Sequence, residues 1–147
     1  MEKLIYILQT YSGMLLESLG QTMLLTLLSL IFAFIIGLIF GLMNVGKNRV
    51  LNFIGTFYVD AVRGVPLIVL AYFIYFGVPA AVKAAGATSF KLTALQAGTI
   101  ALSMNAGAYM AEIFRAGIQS VDKGQMEAAR SLGLPYWRSM QRVVLPQ

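Results

Sequence analysis

Residues 24–43 read LLTLLSLIFAFIIGLIFGLM, and no charged residue occurs between positions 18 and 46. About 20 apolar residues at a helical rise of about 1.5 Å cross a hydrocarbon core of about 30 Å. The stretch predicts a transmembrane helix over about 19–43 and makes lipid the solvent against which the rest of the chain is read. Gly37 and Gly41 stand four apart, a spacing that lets another helix approach closely, with or without dimerisation.

Composition agrees with that reading. Of the 147 residues, 59% are hydrophobic and 12% are charged, whereas soluble domains carry about 25% Asp, Glu, Lys and Arg. The chain has no cysteine and no histidine. This excludes disulfides, thiolate metal sites and cysteine catalysis, and removes the usual imidazole ligand and proton shuttle. The net charge of +5 is scattered among apolar spans rather than gathered in one patch. It therefore indicates membrane orientation and no nucleic-acid partner.

Upstream, residues 1–17 mix Leu4, Ile5, Ile7, Leu8, Leu15 and Leu16 with Glu2, Lys3, Gln9 and Glu17. An interfacial helix with Tyr6 and Tyr11 at headgroup depth fits, and so does a functionless terminus. Downstream, Asn44, Gly46, Lys47, Asn48 and Arg49 form a short basic turn. A second span over about 55–78 contains Asp60 and is interrupted by Arg63, Gly64, Val65 and Pro66. Pro66 lacks a backbone donor and disfavours helical geometry at Val65, so a break is expected there. Asp60 and Arg63 are three apart and can pair on one helix face. Alternatively the span begins after Arg63 and both charges lie in the interface.

Pro79 is expected to close this helix, and a loop to Lys91, containing Thr88 and Ser89, follows. A third, milder span over about 92–112 carries Ala97, Ala101, Asn105 and Ala108 at helical spacing, a face for other helices or a cavity. Asn105 is an amide that needs partners, whether a polar solute or another helix. Tyr109 suits a similar position or an interface anchor. With the N-terminus outside, Lys47, Arg49, Arg115, Lys123, Arg130, Arg138 and Arg142 fall inside, against Lys3, Lys83 and Lys91 outside. The positive-inside rule selects that orientation and puts the last segment in the cytoplasm.

That segment reads as helix, glycine elbow, helix. Asp122 caps a helix whose first turn is expected to hold Glu127 and a later one Arg130. Gly133 terminates it, Pro135 opens a second helix to about Val144, and Pro146 discourages continuation. Ala128, Ala129 and Gly133 are expected to keep one side low, while Tyr136, Trp137 and Met140 offer bulky anchors. An amphipathic pair lying on anionic lipid and a docking element both fit. Glu112, Asp122 and Glu127 have no His, Cys or metal cluster beside them, so no catalytic constellation is visible.

Glu127, Ala128 and Ala129, then Gly133, then Leu145 and Pro146 resemble the EAA loop of membrane subunits of ATP-binding-cassette importers. Arg63, Gly64, Val65, Pro66 and Leu67, then Tyr75 to Pro79, Asn105 to Arg115 and Gly117 to Gln125 resemble the polar amino acid branch (His, Glu, Gln, Arg). The resemblance runs from about residue 18 to the end. It implies an all-α integral membrane fold of the type I importer class, with residues 1–17 extracellular or interfacial and 18–147 a partial transmembrane domain. The EAA loop would occupy about 115–147.

It further implies a cytoplasmic ATPase that docks on Glu127, Ala128, Ala129, Gly133, Leu145 and Pro146. A second permease subunit, homologous or identical, an extracellular solute-binding protein and a polar amino acid substrate are the other partners. No cofactor is expected on this chain, ATP being bound and hydrolysed by the partner. Asn105, Tyr109 and Glu112 are the pathway candidates, and Arg63, Gly64 and Pro66 the hinge or structural ones. Such subunits continue into two more transmembrane helices, so the chain is expected to be a truncated permease of a prokaryotic plasma membrane. The competing readings are a membrane anchor or regulatory fragment that binds a partner without transport, and a small channel or carrier.

Overall fold

The computed structural model describes residues 2–46, 48–86 and 90–147, with the side chains of 2–5 and 7–9 outside the description. The expected roles of Glu2, Lys3, Leu4, Ile5, Ile7, Leu8, Gln9, Lys47, Thr88 and Ser89 therefore lie outside the described residues. Among those described, regular structure is entirely helical. The elements are α1 (Glu2–Val45), α2 (Arg49–Gly64), α3 (Leu67–Tyr72), α4 (Val78–Ala84), α5 (Ala94–Ser120), α6 (Lys123–Ser131) and α7 (Tyr136–Ser139). A π-turn, Phe73–Gly77, joins α3 to α4, and a second, Met140–Val144, extends α7.

α1 runs 44 residues without a break, so the residues before position 18 continue the same rod as the apolar span. Two threonine hydroxyls inside it stay compatible with lipid by bonding back along the helix. Thr22 donates to the Ser18 carbonyl and Thr26 to that of Thr22, each at 2.8 Å. By length and apolarity two stretches suffice to cross a membrane, Thr10–Val45 and Leu67–Ala84. α5, at 27 residues, is about 40 Å long but more polar. Leu27, Ile31, Phe32, Ile35, Phe57, Ile68 and Phe73 all stand exposed, an apolar surface that lipid or other helices cover and water does not favour.

α1 and α5 pack most closely, and small residues permit it. A Cβ at Gly37 would stand 2.6 Å from Cβ of Met110, and one at Gly107 2.7 Å from Cγ2 of Ile36. The spacing of Gly37 and Gly41 is thus used within the chain, against α5. Ser103 adds a hydrogen bond, donating to the carbonyls of Thr99 and, across the interface, Ser29 at 3.3 Å.

α2 starts at Asn48, whose side chain accepts from the Val50 amide at 2.9 Å. It returns along α1, stacking Tyr58 on Phe40 with ring centres 4.0 Å apart. The break before α3 falls at Val65 and Pro66, both extended, as the missing proline donor requires. Pro79 does not close the helix, contrary to the sequence expectation. The π-turn just before it widens the backbone, with the Val78 amide reaching the Phe73 carbonyl. One such turn absorbs the clash and lost donor that proline brings to a regular helix, and the chain stays helical to Ala84. Thr93 and Gln96 form a reciprocal capping box at the start of α5. The helix continues well past residue 112, ending at the extended corner of Val121.

Candidate functional site

Two features concentrate polar chemistry: a two-helix elbow at the end of the chain and a groove between α2 and α5. In the elbow, Asp122 caps α6 by accepting from the Gly124 amide at 2.6 Å. Because α6 begins at Lys123, Glu127 lies in its second turn, not the first. The negative group at the helix start is Asp122 itself, and Arg130 occupies the last turn, where a cation suits the dipole. Gly133 takes φ +84°, a conformation that costs an L side chain energy. The Gly133 amide bonds to Arg130 O at 3.0 Å and that of Leu134 to Ala129 O at 3.3 Å, the Schellman closure.

Burial separates the elbow residues into two groups. Ala129 is 5% and Met140 6% exposed, and Ser139 is fully buried. Ala129 and Met140 therefore hold the two short helices together rather than offering a low face and an anchor, as the sequence suggested. Glu127, Ala128, Gly133 and Pro146 face out. So do Leu145 and Trp137, while Leu132 is 85% exposed at the tip.

The groove, about 320 Å³, is lined by Asn44, Asn52, Thr56, Asp60 and Arg63 on one side and Glu112, Arg115 and Gln119 on the other. Arg115 donates from Nε to Glu112 at 3.0 Å, from Nη2 to the other carboxylate oxygen, and from Nη1 to Gln119 at 3.2 Å. This is the ion pair among the described residues. The expected Asp60–Arg63 pair is not made. Arg63 instead lays its guanidinium over the Tyr109 ring, 5.1 Å from the centroid. At the groove's rim Asn52 donates to the Asn44 carbonyl at 2.7 Å, and the Asn44 side chain is wedged against Gly55.

Asn105, Tyr109 and Glu112 share one side of α5, being spaced four and seven residues apart. Asn105 is half-buried and Tyr109 exposed, and only Glu112 lines the groove. Gly64 has open space where a side chain would stand, so the hinge geometry belongs to Val65 and Pro66. Sequence reading did not bring Asn44, Asn52, Thr56, Arg115 and Gln119 to this site. The available signal was an acid and a base three apart in both helices, Asp60 with Arg63 and Glu112 with Arg115.

The apolar exterior, helical core and polar groove define an all-helical membrane protein. Residues 33–147 match the family described as binding-protein-dependent transport system inner membrane component, and the chain belongs to it. Two relatives come from Bacillus subtilis (strain 168). The one named probable glutamine ABC transporter permease protein GlnM is 38% identical over 92% of this chain and 59% of its own length. The arginine transport system permease protein ArtQ is 38% identical over 90% of this chain and 58% of its own. The crystal structure of an amino acid ABC transporter with histidines superimposes with a TM-score of 0.82 at 36% identity, covering 95% of this chain and 62% of that one. The chain thus spans about three fifths of the length of the relatives it matches. The family is one of transport components rather than enzymes.

Proposed function

We propose that the chain serves as a permease subunit of an ATP-driven importer of polar amino acids. The relatives named for glutamine and arginine transport support that substrate class. In this reading the protein crosses a prokaryotic plasma membrane several times with its N-terminus outside. The elbow lies in the cytoplasm, docked in a separate ATPase. A second permease subunit completes the pathway, an external solute-binding protein supplies substrate, and ATP is bound and hydrolysed by the partner.

The observation that carries the reading is the elbow's division of labour. Its inner side is locked by Ala129, Ser139 and Met140, while Glu127, Ala128 and Leu132 project outward. A rigid, punctuated helix with an apolar tip can transmit force. It connects through Val121 to α5, the helix that carries Glu112 and Arg115. Movement of the elbow would therefore displace one wall of the groove. Substrate would meet Asn105, Tyr109 and Glu112 on that helix, while Arg63 and Pro66 would set the hinge of the opposing one.

Uptake of labelled glutamine, arginine and histidine into vesicles, with ATPase and binding protein supplied, tests the reading. ATP-dependent uptake is expected. Intact ATPase binding without uptake would support a membrane anchor instead, and flux without ATP a channel or carrier.

A further inference from the structure

The groove between α2 and α5 holds two acids and two bases, arranged in opposite order along its walls. α1 and α5 run side by side in the same sense, since Ser29 meets Ser103 and Gly41 meets Phe114 farther along. α2 turns back along α1, with Asn52 near Asn44 and Tyr58 beside Phe40. It therefore opposes α5, placing Arg63 by Tyr109 at one end of the groove, which Asn52 and Gln119 also line. In that antiparallel order the acids and bases run in opposite sequence on the two walls, so that, measured from the Arg63–Tyr109 contact, Arg63 lies about one turn from Glu112 and Asp60 about one turn from Arg115 across the groove.

We propose that these four residues form a charge-exchange latch. When α2 and α5 draw together, the Glu112–Arg115 pair within α5 gives way to cross-helix pairs, Asp60 with Arg115 and Arg63 with Glu112, and the groove closes. In the structure, Arg115 is committed to its own helix and Arg63 to an aromatic ring. The observed arrangement leaves Asp60 without an ion-pair partner among the described residues, and the cross-helix arrangement would pair all four charges. Half-exposed ion pairs are individually weak, so the two states lie close in free energy, as a two-state element needs. The latch rests on the proposed reading of α5 as a wall of the pathway, and its pairing can be measured without transport.

Thr56 and Gln119 line opposite walls beyond the charged residues, and the chain has no cysteine of its own. The double variant Thr56→Cys, Gln119→Cys, made in the full chain and treated in membranes with a short thiol cross-linker, reads the approach of α2 to α5. Adding Asp60→Asn and Arg63→Gln removes both cross-helix pairs and keeps Glu112–Arg115. Cross-linking is expected to fall about two- to fivefold, the effect of losing ion pairs of ordinary strength. The packed pair Ser29→Cys, Ser103→Cys should link equally in both backgrounds. An unchanged Thr56–Gln119 yield, or one never above background while the packed pair links, overturns the latch. Because neither ATPase nor solute enters the assay, failed transport with a charge-dependent cross-link would overturn the importer reading and leave the latch standing.

Discussion

Arg63, two residues before the helix break, is tied to Tyr109 of α5 by a cation lying 5.1 Å from the ring centre. The contact joins α2 to α5 just where α2 gives way to the extended Val65 and Pro66. Without it, the end of α2 would rely on packing by Val59 and Val62 and on the contacts of Tyr58 one turn earlier. A double-mutant cycle on Arg63→Gln and Tyr109→Leu, measured by unfolding in detergent, should give a coupling of about 0.5–1 kcal/mol. Tyr109→Phe retains the ring face and should retain most of the coupling. Strictly additive single effects would count against the contact.

The α1–α5 interface makes a prediction by size. Gly107→Val would drive its Cβ into Ile36, with Cγ2 only 2.7 Å away and the Ala33 carbonyl 3.3 Å away. The helices must separate or repack, at a cost of about 1–3 kcal/mol. Gly117, farther along α5, has open space around the same position. Gly117→Ala should therefore be neutral or stabilise by up to about 1 kcal/mol. Equal effects of the two substitutions on the midpoint of unfolding would contradict the packing.

Tyr58 offers a third test, because its two contacts can be separated. Its hydroxyl donates to the Met104 carbonyl at 2.7 Å, while its ring stacks on Phe40. Tyr58→Phe keeps the stack and loses the hydrogen bond, which should cost about 0.5–1.5 kcal/mol. Tyr58→Ala loses both and should cost clearly more. If the two variants unfold alike, the ring contributes nothing.

Much of the fold was legible because its determinants are local. The uncharged run through residues 24–43 dictated a long helix, Pro66 a break, and Asp122, Gly133 and Pro135 the elbow. Where the reading failed, a neighbour decided. Pro79 was expected to stop a helix, yet a π-turn upstream accommodates it. Asp60 and Arg63 have the right spacing to pair, but Tyr109 competes for the arginine from another helix. Ala129 and Met140 carry no sign in the sequence that they would face each other's helices instead of a partner. The groove was hidden for the same reason, since its walls come from segments about 50 residues apart, brought together by the packing of both on α1 and by their contacts with each other.

The elbow permits its shape and its surface to be tested apart. Gly133→Ala places a side chain at φ +84°, strains the turn by about 1 kcal/mol and leaves the outward face chemically unchanged. Leu132→Asp changes the tip, which is 85% exposed and touches little in the chain itself, so the fold should hold. If the tip is an anchor that becomes buried in the ATPase, Leu132→Asp should weaken co-purification with that subunit by at least about fivefold, the loss typical of a central apolar contact. Gly133→Ala should weaken it less, and through the elbow's stability, so cooling should restore much of its binding and none of that lost by Leu132→Asp. Glu127→Lys should weaken binding at low salt and recover little on adding salt if its carboxylate is buried against the partner. Wild-type co-purification by Leu132→Asp would remove the tip from the docking surface and leave Glu127 and Ala128 to account for it.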